Sequence, residues 1–546
     1  MSVSPARRLA AVAAVAASLP ALGGAGPDAG IRWERVPWED GLEAPQGGPV
    51  NREAVVPPQC YTRTEGAFNP CYTCHQTYPG RDRPNYMDDG YLQGHYAFSD
   101  YARTNRWKNL FVDRSAAVAA MADAAMGRYV AENNYTPLRR RLAGNPHHTG
   151  YVPDLAGLHR GGAAFDAQGF ARDGSGWVAF RYKPLPATFW PTNGSADDVM
   201  VRLPAKFRES DCGPGPGGYS RDAYQANLAI LEAAIKDLER VSLPAVDEGA
   251  LCTDLDGDGR LSRVTSLRRP ETYVGAAAGV AVTPGLYPRG TEFLHTVRYL
   301  RVGEDGSVGA ATRMKEVRYL RKVRFYDRAA LRSLYGNEHQ DKRDGHLPRF
   351  TDTGHGLANG FGWLVLGFIE AADGELRQQT RAEHRFCMGC HATVGTTIDQ
   401  TFAFPRKVTG AEGWGYIDLE GMADAPSVGA SHGEIRLYLE RVGGGSEFRE
   451  NPEMQARWFD DQGELLAAKV AAADVAELIT PSAERARRLN KAYRLIVKNQ
   501  AFVHGRAATV RPVTNVYREV PRDAAPLPPE RRFPYDLRLD WSAATP

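Results

Sequence analysis

Cys71-Tyr72-Thr73-Cys74-His75 and Cys387-Met388-Gly389-Cys390-His391 are the two stretches of this 546-residue chain that say most about its structure. Each is a C-x-x-C-H motif, the pattern through which c-type haem is attached to a polypeptide. The two thiols add across the vinyl groups of one porphyrin, and the adjacent imidazole binds the iron. The motifs therefore predict two covalently bound haems, with His75 and His391 as the proximal iron ligands.

Paired cysteines also serve two other chemistries. A single C-x-x-C pair can be a redox dithiol, and two pairs together can hold zinc through four thiolates. Zinc does not require a His directly after each pair, and a thioredoxin-type dithiol opens a helix in a βαβ pattern that neither flank shows. Covalent haem is the favoured interpretation, with the zinc and dithiol sites as alternatives.

The amino terminus has the pattern of a secretory leader. Arg7 and Arg8 precede an apolar run over residues 9–22, and Ala25 is suitably placed for cleavage. The run is short for a membrane span, although an uncleaved anchor is an alternative. Because no cysteine lies near the cleavage region, a lipid-anchored amino terminus is not expected. We predict a signal peptide over residues 1–25, a periplasmic or secreted protein, and no integral membrane segment after cleavage.

Composition excludes one class of partner. The chain has 67 Lys and Arg against 65 Asp and Glu, a net charge of +2, and no basic run stands out, so nucleic acid is not an expected partner. The length allows two to four domains. We predict a first haem region over 26–135, a mixed α/β region with a calcium-type loop over 136–349, and a second haem region with a carboxy-terminal helix over 350–546.

The pattern of apolar residues predicts an α+β fold, with mixed helices and antiparallel strands and long loops around two c-type haem pockets. Residues 292–302 and 312–325 are strand-like and are joined by the turn-forming stretch 303–307. A strand is also predicted over 434–442. Helices are predicted over 115–130, 224–241, 375–386 and 480–499, the last with Thr480 as its N-cap.

Three cysteines lie outside the two motifs. In an oxidising compartment at least one pair is expected to form a disulfide, and Cys212–Cys252 is the preferred pair because both lie in loops. Cys60 is then left over.

Residues 254–262, Asp-Leu-Asp-Gly-Asp-Gly-Arg-Leu-Ser, match the first nine positions of an EF-hand-type calcium loop. Position twelve is Thr265 rather than Glu, so the bidentate ligand is missing unless another segment supplies it. A solvated acidic turn is the alternative. The predicted calcium ligands are Asp254, Asp256, Asp258, the backbone carbonyl of Arg260, and Ser262.

The opposite face of each iron decides what a haem can do. For the first haem, His95 is the favoured distal ligand, with Met87 as its local rival. For the second haem, His355 lies upstream in a Gly-rich segment, and His432 and His504 are alternatives further along the chain.

On its two C-x-x-C-H motifs and its leader, the chain resembles the dihaem c-type cytochromes and is distantly similar to the bacterial dihaem cytochrome c peroxidases. The resemblance implies electron transfer with redox partner proteins. The alternative is a peroxidase or oxygenase with one open-face haem, although no catalytic constellation is recognisable around the motifs. A third possibility is a calcium-stabilised binding protein that uses haem for sensing or structure.

Overall fold

A computed structural model gives the three-dimensional structure of the chain. It describes residues 54–63, 68–78, 90–91, 96, 98–148, 150–186, 191–212, 218–346, 349–392, 394–442 and 451–544. Helices and antiparallel sheets pack together in these residues, and the predicted α+β class is confirmed. None of the helices in these ranges is long and apolar enough to cross a membrane.

An eight-stranded antiparallel sheet organises the fold. Its centre is a long hairpin of two strands, Glu292–Val302 and Val308–Lys322, which confirms the predicted hairpin. The strands of the described residues are β1 (Val178–Ala179), β2 (Ala196–Arg202), β3 (Glu209–Ser210), β4 (Gly218–Tyr219), β5 (Arg240–Asp247), β6 (Arg263–Arg268), β7 (Glu292–Val302), β8 (Val308–Lys322), β9 (Thr351–Asp352), β10 (Leu357–Ala358), β11 (Trp363–Glu370) and β12 (Leu376–Gln378).

In the eight-stranded sheet the strand order is β1-β2-β7-β8-β11-β10-β9, and β12 pairs with β11. The pairs β3–β4 and β5–β6 form two separate two-stranded sheets.

Helices cover the sheet and fill the space between its connections. The α-helices of the described residues are α1 (Asp100–Arg103), α2 (Ser115–Ala120), α3 (Asp123–Ala131), α4 (Tyr135–Ala143), α5 (Arg221–Lys236), α6 (Arg328–Arg343), α7 (Arg381–His391), α8 (Glu434–Arg441), α9 (Pro452–Trp458), α10 (Ala467–Ala471), α11 (Val475–Ile479) and α12 (Ala483–Asn499).

Both faces of the central sheet are buried. Side chains alternate between the two faces of a strand, so Val199 and Val201 of β2 join one hydrophobic cluster while Met200 joins another. Helix α5 lies in the first cluster and is buried along its whole length from Ala223 onward. A helix buried on all sides must satisfy its polar groups internally, and Asn227 does so by donating to two backbone carbonyls.

The strand predicted over 434–442 is wrong, because this segment is helix α8. Ile435, Leu437 and Leu439 alternate as in a strand, but the side chains buried in the structure are Ile435, Tyr438 and Leu439, which have helical spacing. The preceding Gly433 has no side chain to cap the helix. Asp424 caps it instead, because its carboxylate accepts from the backbone N–H groups at the start of the helix.

Other helix predictions were correct in type but not in extent. The segment 115–130 is broken into α2 and α3 by the extended backbone at Met121. The segment 224–241 ends early, since Asp237 adopts a left-handed conformation that terminates α5. Within 375–386 the chain first adds strand β12 to the sheet, and α7 begins only at Arg381. The last helix ends at Asn499 as predicted, but its N-cap is Ser482 rather than Thr480.

Cys212 and Cys252 form a disulfide, with their Cα atoms 5.9 Å apart, which confirms the preferred pair. Cys60 and the four motif cysteines are thiols.

A buried ionic network ties α8 to the rest of the molecule. The Glu434 carboxylate accepts from Arg406 Nη1 at 2.6 Å and from the Tyr535 hydroxyl at 2.6 Å, and Lys183 Nζ lies 3.1 Å away. Burial alone would raise the pKa of Glu434, but the neighbouring Arg406 and Lys183 outweigh it and hold the pKa at about 2. Arg406 therefore depends on this carboxylate for its compensation, whereas Lys183 is also paired with Asp424 at 2.8 Å.

We predict that Glu434→Gln lowers the free energy of unfolding by about 3–5 kcal/mol, because it leaves the buried Arg406 without its counter-charge. Glu440→Gln on the same helix is the control. Its carboxylate forms a partly exposed pair with Arg436 at 3.1 Å, so its loss should cost less than about 0.5 kcal/mol. Denaturant unfolding measures both, and equal effects would contradict the importance of the buried network.

Candidate functional site

The two C-x-x-C-H motifs meet at one cavity, although 316 positions separate Cys71 from Cys387 in the sequence. Cys74 of the first motif and Cys387, Cys390 and His391 of the second all line it. The cavity has a volume of about 250 Å³. The opposite wall is the face of the central sheet that carries alternate residues of β2, β7 and β8. Tertiary folding therefore brings thiols from both motifs and one imidazole to the same space.

The second motif occupies the last turn of α7. A capping box fixes the start of this helix, since the Thr380 hydroxyl accepts from the Glu383 N–H and the Glu383 carboxylate accepts from the Thr380 N–H. Residues three and four positions apart lie on one face of a helix. Cys387, Cys390 and His391 are therefore presented together to the cavity.

The first motif forms a tight turn instead of a helix end. A 3₁₀ helix spans Pro70–Thr73, and the Asn69 side chain caps it by accepting from the Cys71 N–H at 2.7 Å. The N–H groups of Cys74 and His75 then both donate to the Cys71 carbonyl. Cys74 faces the cavity, while Cys71 packs at the edge of an aromatic cluster beside it.

A close backbone approach holds the two motifs together. A methyl group added at Gly389 would lie 2.2 Å from the Val55 carbonyl oxygen and 3.1 Å from Pro57, so α7 can pack here only without a side chain. The Thr396 N–H donates to the Cys74 carbonyl at 3.1 Å. Trp107 packs edge-on against Phe386 at 5.0 Å and donates its indole N–H to Val56.

The His391 imidazole has the arrangement of a metal ligand. Its Nδ1 lies 3.3 Å from the Gln400 carbonyl oxygen. Because a carbonyl can only accept, Nδ1 carries the proton and Nε2 keeps its lone pair, as in most metal-binding histidines. Burial, with a smaller contribution from Arg318, lowers the pKa of His391 to about 4, so the ring is neutral at pH 7.

The environment and geometry of the motif cysteines bear on the two alternatives to haem. Burial raises the pKa of the Cys390 thiol, whereas a reactive dithiol needs a lowered one. Thiolates on one tetrahedral zinc ion lie about 3.8 Å apart, as follows from Zn–S bonds of about 2.3 Å. Among the described residues, ligand atoms of three or more His, Cys, Asp or Glu side chains converge within 4.8 Å only at an acidic loop elsewhere, and not at the motifs.

The sheet wall of the cavity carries charged residues that sequence analysis did not single out. His295 of β7 is paired in register with Val199 of β2 and with Arg318 of β8, so these three side chains form a row across the strands. His295 Nε2 lies 3.2 Å from the Asp197 carboxylate. Polar residues at inward positions of otherwise apolar strands were the signal that could have found them.

A second charged group lies on the same wall. The buried Glu316 carboxylate accepts from Arg318 Nε at 3.0 Å and from Arg506 Nη1 at 3.3 Å. Burial would raise the pKa of Glu316, but the two guanidiniums outweigh it and hold the pKa at about 2. Both guanidiniums therefore lie beside the same carboxylate, and Arg506 Nη1 is also 3.8 Å from the Cys387 sulfur.

The predicted distal ligands that fall within the described residues do not line the cavity. His95 and its rival Met87 lie outside the described residues. His355 is exposed in a turn, and His432 is also exposed. His384, on the helix that carries the second motif, is 3% exposed, and burial lowers its pKa to about 4.

The calcium-type loop has the predicted turn and gains a residue from outside the motif. Asp254 accepts from the N–H groups of Gly257 and Gly259, which lower the pKa of its carboxyl. Carboxylate oxygens of Glu248, Asp254 and Asp256 lie within 4.8 Å of one another. Asp258 is not in this group and accepts from the Arg260 N–H instead.

Glu248 was missed because it precedes the motif. It is fully buried and accepts from the Leu255 N–H at 2.6 Å and from the Ser262 N–H at 2.9 Å, so it ties together both ends of the loop. The disulfide at Cys252 fixes the chain two residues before Asp254.

Comparison with known proteins gives the family. Residues 46–474 match a family model described as “-like lipoprotein”. The chain is also 30% identical over 514 residues to an “Uncharacterized lipoprotein” of Aquifex aeolicus (strain VF5), a match that covers 84% of this chain and 86% of that protein. The chain belongs to this lipoprotein family. No solved structure matches it. Membership of a lipoprotein family is compatible with the predicted export of the chain.

This membership corrects the assignment made from the motifs. The expectation that the chain belongs with the dihaem c-type cytochromes, near the dihaem peroxidases, is wrong. The functions that were inferred from this expectation, electron transfer between redox partners and peroxidase or oxygenase catalysis, are also wrong. That resemblance rested on ten motif residues and a leader, and short motifs recur in unrelated folds, whereas the family match extends over residues 46–474.

We predict that Gly389→Ala destabilises the protein by about 1–3 kcal/mol, because the new methyl group overlaps the Val55 carbonyl. Gly336→Ala is the control. Gly336 is also helical and has no atom within 4 Å of an added methyl, so the same change there should stabilise the protein by up to about 1 kcal/mol. Thermal or denaturant unfolding gives both signs. Stabilisation by Gly389→Ala would show that α7 does not approach Val55 as described.

Proposed function

We propose that this lipoprotein-family chain is an exported, calcium-stabilised binding protein that carries covalently attached haem for sensing or structure. One observation carries the proposal: two C-x-x-C-H motifs from distant parts of the sequence converge on one cavity. It places these thiols and the His391 imidazole beside Arg318 and Arg506, which could meet the anionic groups of a cofactor.

The donor set of the second motif fits haem. Cys387 and Cys390 lie one turn apart on α7, and each thiol can add its S–H across one vinyl C=C bond to form a thioether, a reaction that needs no oxidant. His391 would bind the iron through Nε2, with Nδ1–H held by Gln400. Bound haem would supply an iron whose remaining axial position binds a small ligand. The first motif would hold a second haem through Cys71, Cys74 and His75.

The wall facing the second motif suits binding. Haem carries two propionates, and Arg318 and Arg506 are guanidiniums on the wall that could donate to them. His295, whose Nε2 lies 3.2 Å from the Asp197 carboxylate, provides a further polar group on this wall. These residues could donate hydrogen bonds to the propionates of haem and to a small polar ligand.

Export supports the same proposal. A leader over residues 1–25 would deliver the mature chain to the periplasm or to the medium, where haem attachment and disulfide formation both take place. The Cys212–Cys252 disulfide is the structural feature expected in that compartment. Partner proteins would then be exported or surface proteins that respond to occupancy of the haem site.

The acidic loop would hold one Ca²⁺. Asp254, Asp256 and Asp258 alternate along the loop as hard oxygen ligands do in EF-hand sites, with the Arg260 carbonyl and Ser262 at the following positions. Glu248 supplies the additional carboxylate that the sequence motif lacks. Calcium would stabilise the junction of β5 and β6, which border the loop.

To test haem attachment, the full chain is expressed with an intact c-type maturation system and its intact mass is measured. We expect the mass of the mature polypeptide plus two haem groups. The double change Cys387→Ser with Cys390→Ser should remove one haem, and Cys71→Ser with Cys74→Ser should remove the other, because each motif supplies its own thioethers.

Cys60→Ser is the matched control and should retain both haems, since Cys60 belongs to neither motif. Circular dichroism checks that each variant is folded. A wild-type chain that has only the bare polypeptide mass and no visible absorption would refute haem attachment.

To test calcium binding, the chelated protein is titrated with Ca²⁺ by calorimetry and by thermal unfolding. Calcium at about 100 times its dissociation constant should stabilise the protein by about 2.7 kcal/mol. Asp256→Asn should weaken binding at least tenfold, whereas Asp305→Asn, in the exposed turn between β7 and β8, should have no effect. The absence of any calcium-dependent shift in wild-type protein would rule the site out.

A further inference from the structure

A second, larger cavity lies on the reverse side of the first motif. Its volume is about 700 Å³, within the range of small-molecule sites. Three segments form its walls: the turn of the first motif, the loop leading into α8 together with α8 itself, and the carboxy-terminal segment. Residues that represent these walls are Tyr72, Gln76, Ser427, Arg441, Tyr535 and Arg538.

The shape of this cavity is fixed by hydrogen bonds that do not need a ligand. The Gln76 side-chain amide donates to the Tyr72 carbonyl at 2.9 Å and to the Phe533 carbonyl at 2.8 Å. The Tyr78 hydroxyl donates to the Tyr535 carbonyl at 2.5 Å. These bonds tie the motif turn to the carboxy-terminal segment, so the walls are already in place.

Most charges on the walls are already compensated. Glu434 is paired with Arg406 and Lys183, and Arg538 is paired with Asp536 at 3.1 Å. Arg441 differs from these residues. No carboxylate of the described residues lies within ion-pair distance of its guanidinium. The cavity therefore contains one positive charge without a protein counter-ion in the described part of the chain.

Aromatic rings hold this guanidinium in place. Its central carbon lies 4.5 Å from the centre of the Phe533 ring and 5.3 Å from the centre of the Tyr72 ring. A guanidinium carries five N–H donors, so contacts with the two rings leave donors for other hydrogen bonds. A carboxylate is the group that matches two parallel N–H donors.

Other side chains on the walls suit the body of an organic molecule. Ser427 is 4% exposed, and its hydroxyl has no hydrogen-bond partner within the described residues. Val428 beside it is 44% exposed and contributes apolar surface at the same wall. A ligand with a carboxylate and a partly apolar body would meet complementary groups on both sides.

We propose that this cavity binds a small organic carboxylate, with Arg441 as the residue that recognises the carboxylate. The proposal stands apart from haem attachment, because Tyr72 and the rest of the site lie on the side of the motif turn opposite to the Cys74 sulfur. It is independent of the calcium loop as well.

Calorimetric titration of the full chain with benzoate tests the proposal, with benzamide as an uncharged probe of the same shape. We expect saturable benzoate binding with a dissociation constant on the order of 1 mM, and benzamide binding at least tenfold weaker. Arg441→Gln should reduce benzoate affinity at least tenfold. Arg436→Gln is the control on the same helix, because Arg436 is already paired with Glu440, and it should bind benzoate as the wild type does.

Three results would overturn the proposal. Equal binding of benzoate and benzamide, or no binding of either, would show that the cavity does not recognise carboxylates. Unchanged benzoate affinity in Arg441→Gln, with thermal unfolding confirming that the variant is folded, would remove Arg441 from the site. Equal competition by inorganic phosphate would assign the cavity to simple oxyanions rather than organic carboxylates.

Discussion

The contact on which the candidate site depends is the approach of α7 to the backbone at Val55. The helix carries Cys387, Cys390 and His391, and the segment from Val55 onward leads into the first motif. At Gly389 the two backbones lie closer than any side chain would allow. A position without a Cβ atom therefore sets how closely the second motif approaches the segment that leads into the first.

Charge compensation is the second principle of the structure. Glu434, Glu316 and Glu232 are each buried and each accept from two cationic side chains. Such groups cost free energy when they leave water, and hydrogen bonds with opposite charges offset that cost. Both cavities also carry guanidiniums on their walls, Arg318 and Arg506 in one and Arg441 in the other. These guanidiniums are the reason to expect anionic ligand groups at both, the propionates of haem in one and an organic carboxylate in the other.

The motifs and the family match answer different questions. A C-x-x-C-H motif indicates what five neighbouring residues can do chemically, and it occurs in many unrelated proteins. The similarity to the Aquifex aeolicus lipoprotein extends over 514 residues and therefore reflects the whole fold. The cytochrome assignment failed because local chemistry was extended to the identity of the entire chain. The local chemistry itself is consistent with the cavity, where His391 keeps a lone pair for a metal.

Sequence by itself determined the features that depend on neighbouring residues. The β7–β8 hairpin follows from alternating apolar residues around a turn-forming stretch, and the turns of the acidic loop follow from its Asp and Gly spacing. The Cys212–Cys252 disulfide was predicted because both cysteines lie in loops outside the motifs. Tertiary structure alone decided that α8 is a helix, because Asp424 caps it from another segment. Tertiary structure also brought Glu248 to the acidic loop and placed His295 and Arg318 in the same cavity as His391. It placed Arg441 beside the rings of Tyr72 and Phe533. These positions depend on contacts between residues far apart in the chain, and the pattern within any one segment does not contain that information.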